Sequence, residues 1–140
     1  MALVGGGGAP NVAGGANPAG VGASLQYVGN HCYAYSGKFQ TTAGTSADTT
    51  ALLFTTGSEY IHVDYLGFED DETNTGRDRF VSIFINNEEI FHGKYTNPQE
   101  MSQDQPIRMI IPPFTKVEVK CGGADGSSNW TVMLTGRLYA

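Results

Sequence analysis

The first 37 residues contain no Asp, Glu, Lys or Arg; the first charged side chain is Lys38. Large apolar side chains are almost as scarce in the opening segment MALVGGGGAPNVAGGANPAGVGAS, which is built almost wholly from Gly, Ala, Pro, Val and Asn. The first shortage excludes a solvated charged tail and the second excludes an independent core. No stretch approaches the roughly 20 apolar residues that span a bilayer. MALVGGGG lacks the basic n-region and the apolar h-region of a secretory signal, so the expectation is synthesis in a cytoplasm with no address elsewhere. Basic residues are few, eight against fourteen acidic ones, and the formal charge of −6 repels phosphate backbones; nucleic acid is not expected as a direct partner. Ala and Leu at helical spacing are scarce after Leu25, whereas Val, Ile, Phe and Tyr are plentiful, which favours sheet over helix. The lack of an internal repeat argues against a propeller or solenoid.

What is present falls into two parts, a segment 1–24 and a domain 25–140 of near-modal size. Glycine loses more backbone entropy on ordering than any other residue, so the first part is expected to be held by something outside itself. It reads as an extended arm that lies on another protein. Met1, Leu3, Val4, Pro10, Val12, Pro18 and Val21 are its candidate partner-binding residues, and its glycines let the backbone approach the partner closely. Fully extended, such an arm reaches about 80 Å.

From Tyr27 onward every clear periodicity is two, and turn-forming clusters separate short runs. His31–Phe39 reads as a first strand with Tyr33 and Tyr35 on one face and Cys32 and Ala34 on the other. In the run Tyr60–Phe68, alternation puts Ile61, Val63 and Tyr65 on one face and His62 and Asp64 on the other. Asn86-Asn87-Glu88 lies between two strand-like runs, and Asn tolerates the left-handed conformation of tight hairpins. Pro112-Pro113 breaks the ladder. Lys116–Cys121 alternates with Val117, Val119 and Cys121 inward, and the last strand groups Trp130, Val132, Leu134 and Leu138. The count is about eight strands, and an antiparallel sandwich of two sheets buries one face of each; eight strands suggest a jelly roll. An immunoglobulin-like sandwich is disfavoured because Trp130 follows both Cys32 and Cys121. The two cysteines are read as free, apolar core residues.

Catalytic chemistry has little to stand on. His31, His62 and His92 are far apart and have no nearby Cys or His partner at zinc-ligand spacing. No G-x-S-x-G elbow is present, and Gly5 to Gly8 carry no Lys-Ser/Thr, so they are not a phosphate loop. The weak candidate for a cation is the acidic loop with Asp70, Asp71, Glu72 and Asp78, whose spacing departs from the helical calcium loop. No cofactor, resident metal or enzymatic activity is expected. Most of Tyr27, Tyr33, Tyr35, Tyr60, Tyr65, Tyr95 and Trp130 are expected in the core or at a subunit interface, although exposed rings on a strand face also suit sugars.

The charge-free stretch Met1–Gly37, the run Ile110-Ile111-Pro112-Pro113-Phe114-Thr115-Lys116-Val117-Glu118-Val119 and the terminal Leu134-Thr135-Gly136-Arg137-Leu138-Tyr139 together resemble the jelly-roll capsid decoration, or cement, proteins of tailed bacteriophages. The resemblance is one of architecture and covers the whole chain. It implies a structural virion protein, often a homotrimer, whose arm reaches over the major capsid protein or another virion protein. The corresponding localisation is the capsid surface, after synthesis in the host cytoplasm. An alternative from another class is the receptor- or glycan-binding tip of a phage fibre or spike.

Overall fold

The computed structural model of the chain describes residues 25–41, 46–71, 78–95, 107–123 and 129–139. All seven candidate arm residues, Met1 to Val21, and Glu72 of the acidic loop lie outside the described residues. The described residues form ten strands: β1 (Gln26–Val28), β2 (His31–Tyr35), β3 (Phe39–Gln40), β4 (Thr49–Thr55), β5 (Tyr60–Asp70), β6 (Arg79–Ile85), β7 (Glu88–Tyr95), β8 (Met109–Ile111), β9 (Lys116–Gly123) and β10 (Asn129–Tyr139). No helix occurs among the described residues. One sheet has the order β1-β2-β10-β5-β8, with β3 also on β10; the other has the order β4-β9-β6-β7. All pairings are antiparallel, and the fold is an all-β, two-sheet arrangement.

The count exceeds the expected eight for two local reasons. A short hairpin, β1–β2, turns at Gly29-Asn30 and adds an edge strand. The expected single strand His31–Phe39 is broken at Ser36-Gly37-Lys38, where Gly37 has φ +71°. Across the break the ladder to β10 continues through a side chain: Val132 N donates to Ser36 Oγ at 2.8 Å, while Ser36 N donates to Val132 O at 2.9 Å.

Elsewhere the alternation sets the faces until a bulge shifts them. Gly136 pairs with Val63 but Thr135 pairs with Tyr65, leaving Asp64 as the extra residue of β5. Ile61 and Val63 therefore point inward before the bulge and Leu66 and Phe68 after it. Tyr65 is turned to the outer face, contrary to the alternation expected from the sequence, because an extra residue reverses the period of two. Gly136 is needed here: a Cβ on it would lie 2.7 Å from the carbonyl oxygen of His62. The β6–β7 hairpin has Asn86 at φ +49° and Asn87 at φ +71°, the two left-handed positions that a two-residue turn of type I′ demands.

The core lies between the sheets. Trp130, Leu134, Leu66 and Ile61 from the larger sheet meet Leu52, Val81, Ile83 and Val119 from the smaller one, all essentially inaccessible. Leu25, the first described residue, is also fully buried in this core. A charged contact also crosses it. Arg79 of β6 donates from Nε to Asp70 Oδ2 of β5, and the two side chains are 2% and 1% exposed. This buried pair ties the two sheets together where β5 ends and β6 begins. Removing one partner of such a pair leaves an uncompensated charge in a low-dielectric site, which costs about 3–5 kcal/mol, whereas replacing both by apolar residues costs far less. Arg79→Met is thus expected to lose about that amount in urea unfolding, and Arg79→Met combined with Asp70→Leu to recover most of it. Equal losses in the single and double variants would show that the pair's charges do not govern the stability of this region.

Candidate interaction face on the larger sheet

The sequence of β2 puts small residues inward and large ones outward. Cys32 and Ala34 face the core opposite Gly136 and Leu134 of β10, while Tyr33 and Tyr35 lie outside with ring centroids 4.9 Å apart. The same outward face carries Tyr60, His62 and Tyr65 of β5, Ile110 of β8 and Met133, Arg137 and Tyr139 of β10. Tyr35, Tyr60, Ile110, Met133 and Tyr139 are exposed. The expectation of mainly core or interface tyrosines separates accordingly. Tyr27 and Tyr95 pack against the core and Trp130 is wholly within it, whereas Tyr33, Tyr35, Tyr60 and Tyr65 are on the outer surface. The small side chains alternating with tyrosine in β2 were the sequence signal for this orientation.

Two open hollows interrupt the face. One, of about 500 Å³, is bounded by Tyr60, His62, Ile110 and Tyr139. A second, of about 260 Å³, lies among Tyr35, Tyr65, Gly67 and Met133, where the Tyr65 ring covers Gly67 and occupies the place of a Cβ. Between them, the bulge positions a charged cluster. Arg137 donates to Asp64 from Nε at 3.0 Å and from Nη2 at 2.8 Å, and His62 Nδ1 is 3.2 Å from Asp64 Oδ1. The Arg137 hydrogen bonds hold the Asp64 carboxyl below its ordinary range, and Asp64 in turn raises Arg137. The result is apolar recesses with a polar divide, a surface suited to recognition.

The outer face of the smaller sheet is chemically different. Lys120 Nζ stands 5.3 Å from the Phe84 ring centroid, and Thr50 Oγ1 donates to Glu118 Oε2 at 2.7 Å. Ser82 Oγ and His92 Nδ1 are 3.0 Å apart, and Glu89 Oε2 is 3.7 Å from that same nitrogen. A nucleophilic relay needs serine and acid on opposite ring nitrogens, so this trio lacks the required arrangement. Ser82 is also buried.

The candidate cation ligands are turned to protein partners. Asp70 meets Arg79; Asp71 accepts from Asn129 N and Nδ2, each at 2.8 Å; and Asp78 lies 3.2 Å from Lys94 Nζ. No group of three or more His, Cys, Asp or Glu side chains with metal-binding geometry occurs among the described residues. Cys32 and Cys121 are free and buried in opposite sheets.

Burial, and secondarily the negative charge of Asp64, push the Cys32 thiol from 9.0 up to about 11; burial raises Cys121 as well. The folded value lies above the unfolded one, so this contribution to stability is fully present below about pH 9 and is lost as pH rises towards 11. The full loss for Cys32 is on the order of 3 kcal/mol. Urea unfolding followed between pH 8 and 11 should fall less steeply in Cys32→Ala than in the native chain. Parallel pH profiles would remove Cys32 from the alkaline transition.

No protein-family model matches the chain, and comparison with curated proteins and with solved structures finds no match to it either.

Proposed function

We propose that this chain is a structural virion protein: a capsid decoration, or cement, protein that binds the outer surface of a phage head through residues 1–24 and stabilises the shell. The major capsid protein or another virion protein is its partner, the capsid surface its location, and a homotrimer its working form. The observation that carries this reading is the exposed aromatic face of the larger sheet, a large uncovered surface of a kind that marks interaction sites. The charge-free composition of residues 1–24 supports the arm.

The sandwich is read as a jelly roll. Its pairs β2–β10, β4–β9, β5–β8 and β6–β7 run from the outside of the sequence to its centre, as in one long antiparallel hairpin. The added contacts β5–β10 and β6–β9 roll that ribbon into two sheets. On this count β3 continues β2 and β1 is an edge addition, which leaves eight principal strands.

A second reading, the glycan- or receptor-binding tip of a fibre or spike, is favoured by one feature, the pair Tyr60 and Tyr139 flanking a hollow beside Asp64 and Arg137. Rings of this kind stack on sugars and adjacent charges bind hydroxyls.

Deleting residues 1–24 separates the two. The decoration reading expects a folded domain that no longer binds shells lacking the protein in a co-sedimentation assay. Retained binding at full strength would overturn the role of the arm. Glycan-array binding by the truncated domain that disappears in Tyr60→Ala would favour the tip.

A further inference from the structure

Phe114 is 74% exposed, more than any other large apolar residue among those described. Its φ is +53°, a backbone region that bulky L-residues rarely enter. Pro113 precedes it in the turn between β8 and β9, giving the corner the form of a type II turn, in which this position ordinarily takes Gly or Asn. The corner is nevertheless fixed. Phe114 N donates to Gly57 O at 2.9 Å, Thr115 N to Thr56 Oγ1 at 2.8 Å, and Thr56 Oγ1 to Pro112 O at 2.8 Å. Thr115 Oγ1 adds a bond to Pro113 O at 3.0 Å. A strained corner is thus held rigidly while the ring it carries stays in water. The fold gains little from that ring, and strain retained in this way points to a use outside the fold.

The hollow bounded by Tyr60, His62, Ile110 and Tyr139 lies at the same end of the sandwich. Ile110 precedes the Phe114 turn on the same stretch of chain, and Tyr60 follows the Thr56–Gly57 segment to which that turn is bonded. Knob and hollow therefore share one end of the fold, four positions apart along the chain at Phe114 and Ile110. The exposed parts of Phe114, Ile110, Tyr60 and Tyr139, at 74%, 63%, 48% and 51%, together present on the order of 500 Å². Two such patches amount to on the order of 1,000 Å², the least that a specific protein contact needs. Asp64, His62 and Arg137 give the patch a polar rim, as expected at such a contact.

We infer that this patch is the contact between copies of this chain, with the Phe114 ring of one copy seated in the Tyr60–Ile110–Tyr139 hollow of another. Both halves of the contact belong to one polypeptide, so reciprocal seating of two copies covers the whole patch of each without any other partner, whereas a head-to-tail contact buries only about half that area. A small ligand in the hollow would leave Phe114 in water. The inference shares with the proposed function only that the chain self-assembles; the two-fold contact it names is separate from the three-fold contacts of a homotrimer.

The full chain, examined by light scattering coupled to size exclusion and by sedimentation velocity over a concentration series, is expected to be oligomeric. Phe114→Gly removes the ring and relieves the backbone, so it should raise the midpoint of thermal unfolding of the monomer while weakening association about 30-fold or more. A merely structural residue would not move those two quantities in opposite senses. Ile110→Ser, on the hollow side, should weaken association similarly. Mixing the two variants should produce a heterodimer that neither forms alone, since one copy retains the hollow and the other the knob. An oligomer unaffected by Phe114→Gly overturns this contact and leaves self-assembly standing; a full chain that is monomeric throughout overturns both. Loss of shell binding with an intact oligomer assigns the patch to the shell and overturns the inference, as does saturable binding of a saccharide in the hollow.

Discussion

The buried contact between Arg79 and Asp70 is the constraint around which the sandwich is arranged. Two sheets held only by apolar side chains can slide, because dispersion and the hydrophobic effect have little directional preference. A guanidinium and a carboxylate taken out of water tolerate almost no such freedom, since any separation exposes two charges to a medium that cannot solvate them. The pair joins β5 of one sheet to β6 of the other, so it fixes their relative position at the end where those strands meet. Trp130, paired with Asp70 along β10, packs in the same region and excludes water from it.

With the sheets fixed there, the irregularities of the larger sheet take on a common purpose. The break at Ser36 keeps β2 and β3 on the same edge of β10, its hydroxyl replacing a missing ladder partner. The bulge at Asp64 reverses the faces of β5 halfway along its length. Without it, Tyr65 would enter the core and Leu66 and Phe68 would face water. The bulge thus assembles the outer surface, with Asp64 placed to receive Arg137 and the tyrosines arrayed on either side.

Much of this architecture was legible in the sequence, because alternation over a half-buried strand leaves a direct trace. Val117, Val119 and Cys121 in β9, and Trp130, Val132 and Leu134 in β10, face inward as their spacing requires. The Asn86-Asn87 hairpin was legible for a local reason, the tolerance of asparagine for positive φ. Three things were not. A bulge has no compositional mark in the run Tyr60–Phe68, and only its partner Gly136, far along the chain, hints at the close approach. The burial of Arg79 depends on Asp70 finding it across the sheets, which periodicity cannot convey. Phe114 gave no sign of its exposure, because the bonds that hold its corner come from Thr56 and Gly57, more than fifty positions away. Local physics writes itself into neighbouring residues, whereas these features arise from pairs that only the fold brings together.

Gly57 links β1 to the corner between β8 and β9. Its amide donates to the Tyr27 hydroxyl at 3.1 Å, and its carbonyl accepts from Phe114 N at 2.9 Å. Tyr27 belongs to β1, which begins directly after the buried Leu25. The start of the domain and the Phe114 corner are therefore joined through a single residue and two hydrogen bonds. Gly57 is thus a shared joint, one hydrogen bond facing the beginning of the domain and the other the corner that carries the exposed Phe114 ring.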